Sequence, residues 1–179
     1  MWDYYGNNLP LGAGYDIGAH ERNAYAARDG DGIPDDFEEE NGMNADGNDI
    51  NGDSGDGDGL TNLLEYAFGL SPQARNNPPV EVDIAAVSLL RRGVPVTWNH
   101  STAGGTDCRA VFLRRKDFTA ARLRYVPHFS ADLSAWVEGT VVPTVIAQSG
   151  EMELVSVPYP AIVSGNKARF FRLLVTINN

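Results

Sequence analysis

The sequence predicts a mainly β protein, an antiparallel β-sandwich preceded by a small acidic loop segment with short helices. Three observations predict it. Beyond about Val80, apolar and polar residues alternate with the period of a strand. Turn residues interrupt that alternation at regular spacing, as a sandwich requires. Upstream, from Asp29 to Glu65, thirteen acidic side chains occur without one Lys or Arg, and glycines are interleaved among them.

The elements follow in order. Residues 1–27 are rich in Gly, Asn and Tyr and too short to hold a core; Gly14 to His20 reads as a strand edge. Residues 28–72 form the acidic segment. Pro34 opens a short helix that runs from Asp35 to Glu40 and stops at Gly42. Leu60, Leu63, Leu64, Ala67 and Phe68 recur at helical spacing up to Gly69, with Pro72 just beyond. Each half is thus a loop followed by one or two helical turns, the layout of an EF-hand-like loop with its exiting helix. Residues 73–179 hold seven strand candidates, at 81–90, 94–98, 109–115, 122–129, 136–146, 151–157 and 171–177. Leu123, Tyr125 and Phe129 face one side against Arg122, Arg124 and His128. Near the end Phe171, Leu173, Val175 and Ile177 oppose Arg172 and Thr176.

Charge localises the chemistry. The chain has 24 acidic and 14 basic residues, a net of −10; without the thirteen acids of residues 29–65, 11 remain against 14. Local acidity of this kind argues for ion binding rather than general solvation, and the net charge argues against nucleic acid. One cysteine, Cys108, excludes an intramolecular disulfide and reads as a small buried residue. Nothing resembles the apolar run of about 18 residues that a membrane span needs. Met1-Trp2-Asp3-Tyr4-Tyr5 has neither a basic nor an apolar leader region, so no signal peptide is expected. The chain reads as cytosolic, already processed, or a segment of something longer.

Carboxylates this dense repel one another unless a cation sits among them, and alternating glycines let the backbone turn its carbonyls inward. In a twelve-residue calcium loop the ligands come from positions 1, 3, 5, 7 (a carbonyl), 9 and 12, with glycine at 6. Anchoring on Gly32 assigns Asp29, Asp31, Ile33, Asp35 and Glu38. Position 1 is then Ala27, which cannot ligate, so a ligand must come from elsewhere. Anchoring on Gly59 assigns Asp56, Asp58, Leu60, Asn62 and Glu65, with Ser54 at position 1 and Asp53 beside it as the better ligand. Asp49, Asn51 and Asp53 make half of a third site that is expected to share carboxylates with the second. Two to four Ca²⁺ ions are expected. Incomplete ligand sets of this type need roughly millimolar calcium, an extracellular condition.

These loops are similar to thrombospondin type 3 repeats and to dockerin loops. They more closely resemble the "DGDGIPD…DGDGLTNLLEYAFGL-x-P" segment before the C-terminal domain of many secreted bacterial proteins, matched from Asp29 and Asp56 onward. Asp3 to Glu21 looks like the closing coil of secreted bacterial right-handed β-helix proteins, "GN-x-RP-x-GA-x-x-DIGAYE", without its arginine. Leu123 to Trp136 resembles the family's "Tyr-x-Val-x-x-Ser-x-Asp-Leu-x-x-Trp" hairpin, and Arg169 to Val175 its terminal strand. The resemblance implies an extracellular, non-catalytic sandwich and names no ligand; the sandwich is expected to be immunoglobulin/fibronectin III-like.

No hydrolase, zinc-protease or P-loop motif is present. His20, His100 and His128 lie far apart in sequence, and the clustered acids belong to the loops. An enzyme is therefore not expected. Arg114, Arg122 and Arg124 read either as a site for an acidic polymer or as solvated strand faces. Trp98 reads either as a sugar-stacking platform or as core, and Trp136 as core. The expected role is an extracellular or cell-surface structural module, in a filament, appendage or surface layer. Its partners would be further copies, joined N-terminal segment to β-domain edge, or a parent surface protein. The alternative is an accessory carbohydrate-binding or anchoring domain of a secreted polysaccharide-active protein.

Overall fold

The computed structural model describes residues 24–53, 55–75, 78–83, 86, 88–103 and 105–178. The strand edge at residues 14–20, His20, Ser54, the side chain of His100 and most of the pairing segment 1–27 lie outside the described residues. Two helices come first, α1 (Asp35–Glu40) and α2 (Asn62–Phe68). Nine strands follow among the described residues: β1 (Glu81–Asp83), β2 (Ser88–Arg91), β3 (Val96–Thr102), β4 (Gly105–Arg115), β5 (Leu123–Ser130), β6 (Val137–Glu138), β7 (Thr144–Ser149), β8 (Met152–Pro158) and β9 (Phe170–Ile177).

The protein is mainly β, and every pairing between named strands is antiparallel. The sheets run β1-β2, β3-β4-β8-β7 and β6-β5-β9, an arrangement consistent with a sandwich. Two expected strands are each divided in two. Within 81–90, β1 and β2 pair antiparallel, and the Asp83 carboxylate accepts the Ala86 N–H at 3.1 Å between them. Within 136–146, the Gly139 N–H turns back to the Pro127 carbonyl, and Pro143 has no N–H to give a ladder.

The central pair β4-β8 explains the layering. Val111, Leu113, Met152 and Leu154 point into one hydrophobic cluster, while Ala110, Phe112, Val155 and Val157 point into another. Both faces are therefore covered, so Met152–Val157 reads as an unbroken buried run rather than an alternating one. Phe129 of β5 packs in the second cluster; Tyr125 and Leu173 border both. The first cluster is completed by Ile33, Tyr66, Ala67, Phe68 and Leu70 from the acidic segment. Residues 28–72 and 73–179, distinct in composition, thus share one core.

Two sequence assignments are corrected. Trp136 is half-buried and belongs to neither cluster; its indole N–H donates to the Leu133 carbonyl and Arg172 stacks on its ring at 4.6 Å. Cys108 is also only half-buried. No described helix is long and apolar enough to cross a membrane.

Candidate metal centre

The two acidic loops repeat one geometry at an offset of twenty-seven residues, Asp29 matching Asp56. In the first, Asp29 Oδ1 accepts the Asp31 N–H at 3.0 Å and Asp31 Oδ1 accepts the Ile33 N–H at 2.8 Å. In the second, Asp56 Oδ1 accepts from Asp58 at 3.0 Å and Asp58 Oδ1 from Leu60 at 2.8 Å. Gly32 and Gly59 hold φ of 95° and 90°, which a side chain would resist. Each exiting helix ends alike, with Met43 N–H on the Glu38 carbonyl and Leu70 N–H on the Glu65 carbonyl, both at 2.8 Å. Ile33 and Leu60 close the loops by inserting into the first cluster.

In the first loop, carboxylate oxygens of Asp29, Asp31 and Glu38 lie within 4.8 Å of one another. Glu38 is 0% exposed, and neither of its carboxylate oxygens has a hydrogen-bond partner. Burial first, then the charges of Asp31, Asp29, Asp49 and Asp35, push its pKa up to about 8. Asp31 is likewise raised, chiefly by burial. An unpaired buried carboxylate costs several kcal/mol, and the donors here are all oxygen, which suits a hard cation. The residues present therefore fit a divalent ion at this point.

In the second loop, Asp53, Asp56 and Asp58 come within 4.8 Å. Asp53 also accepts the N–H groups of Gly57 and Gly59 at 3.1 and 2.9 Å. Asp56 Oδ2 is buried without a hydrogen bond. Glu65, in the position equivalent to Glu38, is 1% exposed, and Asn62 is 0% exposed.

The members of the expected third half-site are separated. Asp53 joins the second loop, whereas the Asp49 N–H donates to Asp31 Oδ2 at 3.4 Å, and Asp49 Oδ1 is buried without a partner. Asn51 lies exposed between them. Asp35 is not one of the three carboxylates within 4.8 Å: its carboxylate accepts the Arg28 N–H at 2.8 Å and meets Arg28 Nε at 3.2 Å. Arg28 sits one residue before the acid run and also pairs with Glu39 at 2.8 Å. The twenty-seven-residue offset was the available signal for Asp49. It aligns Asp53 with Ala26, leaving the first loop without an acid there.

Elsewhere, Arg114, Arg122 and Arg124 line one cavity of about 260 Å³ together with Phe118 and Tyr125. Arg114 pairs with Glu153 and Arg124 with Glu138 at 3.1 Å; Arg122 has no ion pair among the described residues. Trp98 does not line this cavity; it is half-buried on β3 against the first cluster. No family model, curated protein or solved structure matches the chain.

Proposed function

We propose that the chain is a calcium-stabilised extracellular structural module without catalytic activity, an immunoglobulin/fibronectin III-like sandwich stiffened by its acidic loops. It assembles with copies of itself, or with a parent surface protein, into a filament, appendage or surface layer. Glu38 carries the reading. Its carboxylate is 0% exposed, lacks any hydrogen-bond partner and stands among Asp29 and Asp31. A bound cation supplies the missing countercharge. Calcium suits it better than magnesium, because calcium accepts about six to eight oxygens in loose geometry whereas magnesium demands a near-ideal octahedron. Asp29, Asp31, Glu38 and Asp49 would hold one ion; Asp53, Asp56 and Asp58 would hold another.

Self-association is supported by the sheet margin. β9 has no outer neighbour among the described residues, and Phe170 and Leu174 on it are 38% and 48% exposed. Such an edge is a template for another strand. The non-catalytic reading is supported by the remaining carboxylates. Asp107 is engaged by Arg109, Asp117 by Arg115 and Tyr25, and Asp132 by the N–H groups of its own turn. The resemblance to calcium loops of secreted surface proteins points the same way.

Native mass spectrometry with light scattering, in millimolar calcium and then in chelator, tests the reading. The expected result is two to four bound ions and calcium-dependent oligomers. A metal-free monomer in both buffers overturns it.

The arginine cavity favours one second reading, an accessory domain that holds an acidic polysaccharide. Arg122 would meet a sugar carboxylate while Phe118 and Tyr125 line the cavity. Binding of an acidic oligosaccharide that disappears in Arg122→Ala supports that reading. Silence across acidic glycans removes it.

A further inference from the structure

The stretch between the two loops is bonded to both. Facing the first loop, Asp49 offers its N–H to Asp31 and carries a buried Oδ1 without a hydrogen bond. Its charge acts on both Asp31 and Glu38. Facing the second, the Asp49 carbonyl accepts Asn62 Nδ2 at 2.7 Å and the Gly52 N–H at 2.6 Å. The Ile50 carbonyl then takes the Leu63 N–H at 3.2 Å, and the Gly52 carbonyl takes the Asn62 N–H at 2.8 Å. Gly52 is required for this approach. A Cβ there would stand 2.9 Å from the Asp49 carbonyl and 3.2 Å from Asn62 Nδ2.

We propose that Asp49 is shared by the two loops: its carboxylate supplies the cation ligand that Ala27 cannot, and its carbonyl anchors the second loop, so the two sites fill cooperatively. The inference rests on the calcium reading above. The reason is electrostatic and entropic together. Without a cation, nothing draws the Asp49 carboxylate toward the buried Asp31 and Glu38 carboxyls, so the ladder from Asp49 to Leu63 is not braced from that side. An ion in the first site draws Asp49 inward and fixes Asn62 and Leu63 at the start of α2. The second ion then meets a loop whose ordering is already complete, which is a coupling free energy between sites. The coupling is reciprocal, so an ion in the second site must favour the first by the same factor.

Calorimetric titration of the metal-free full chain with calcium tests it. Asp31→Asn leaves the second site alone and Asp56→Asn leaves the first. For independent sites, the product of the two single-site affinities equals the overall two-ion affinity of the unsubstituted chain. For coupled sites the unsubstituted chain exceeds that product, by about fivefold or more. Asp49→Asn should remove the excess and weaken the first site by about tenfold or more, through loss of a charged ligand. If the unsubstituted chain takes up no calcium, the reading of the module itself is overturned. If calcium binds but the product rule holds and Asp49→Asn changes nothing, the reading survives and the role of Asp49 is overturned. Should Asp31→Asn not fold, amide exchange in Asp56→Asn gives the same answer. Calcium-induced protection of Asn62 and Leu63 supports coupling, and unchanged exchange overturns it.

Discussion

Glu38 sits in the first turn after its loop with its side chain sealed from water, so its ionisation contributes a pH dependence to the stability of the metal-free protein. Its ordinary value of 4.5 rises to about 8, first through burial and then through the neighbouring aspartates. A raised carboxyl pKa gives stability that is complete below the unfolded value and lost as pH climbs through the folded one. In chelator, the melting temperature should therefore fall between about pH 4.5 and pH 8. Glu38→Gln should flatten that slope and also blunt the response to calcium. A melting profile in chelator that is level across the window, or rises, contradicts this account. That Asp29, Asp31 and Glu38 come together, and likewise Asp53, Asp56 and Asp58, was legible because glycine and acid alternate at regular offsets. Their partition was not. Asp35 pairs with Arg28 outside the 4.8 Å group, and Asp49 is tied to the first loop through a backbone bond that no local spacing encodes.

At the scale of elements, α2 is held by its C-terminus more than by its length. Gly69 takes φ of 64°, its carbonyl accepts from Arg92 at 2.8 Å, and the Ala67 carbonyl accepts the Tyr125 hydroxyl at 2.6 Å. Gly69→Ala should cost about 1–2 kcal/mol from the left-handed backbone alone. The added Cβ would also press on Met152 Sδ at 2.8 Å, inside the first cluster. Chemical denaturation measures the loss; an unchanged midpoint would refute the capping argument. Both helices were readable from Pro34, Gly42 and Gly69, because helix ends carry local chemistry. The strand count was less readable. The run at 81–90 is split into β1 and β2 on either side of the Asp83–Ala86 bond, and β8 lacks alternation because both of its faces are buried.

At the scale of the molecule, the acidic segment is a layer of the core, and charge as well as burial binds it there. The Arg115 guanidinium grips Asp117 at 3.0 and 3.1 Å while stacking 4.7 Å from the Tyr66 ring of α2. Burial opposes ionisation of Asp117, but the bonds from Arg115 and Tyr25 prevail and hold its pKa below the usual range. Asp117→Asn should cost about 1.5–3 kcal/mol, the range for a hydrogen bond to a charged partner. Equilibrium denaturation checks this, and a loss below half of that figure contradicts the role of the pair. A shared core of this kind is invisible to composition, which separates residues 28–72 from 73–179 by charge alone. It has one direct consequence: an ion that orders the loops must stabilise the strands as well.

Thermal unfolding of the full chain, followed by the β-sheet signal in millimolar calcium and in chelator, measures that consequence. An ion bound only by the folded state adds about 2.7 kcal/mol per site at a hundredfold excess over Kd. The account predicts one cooperative transition that moves upward by many degrees with calcium. A transition at the same temperature in both buffers would contradict it.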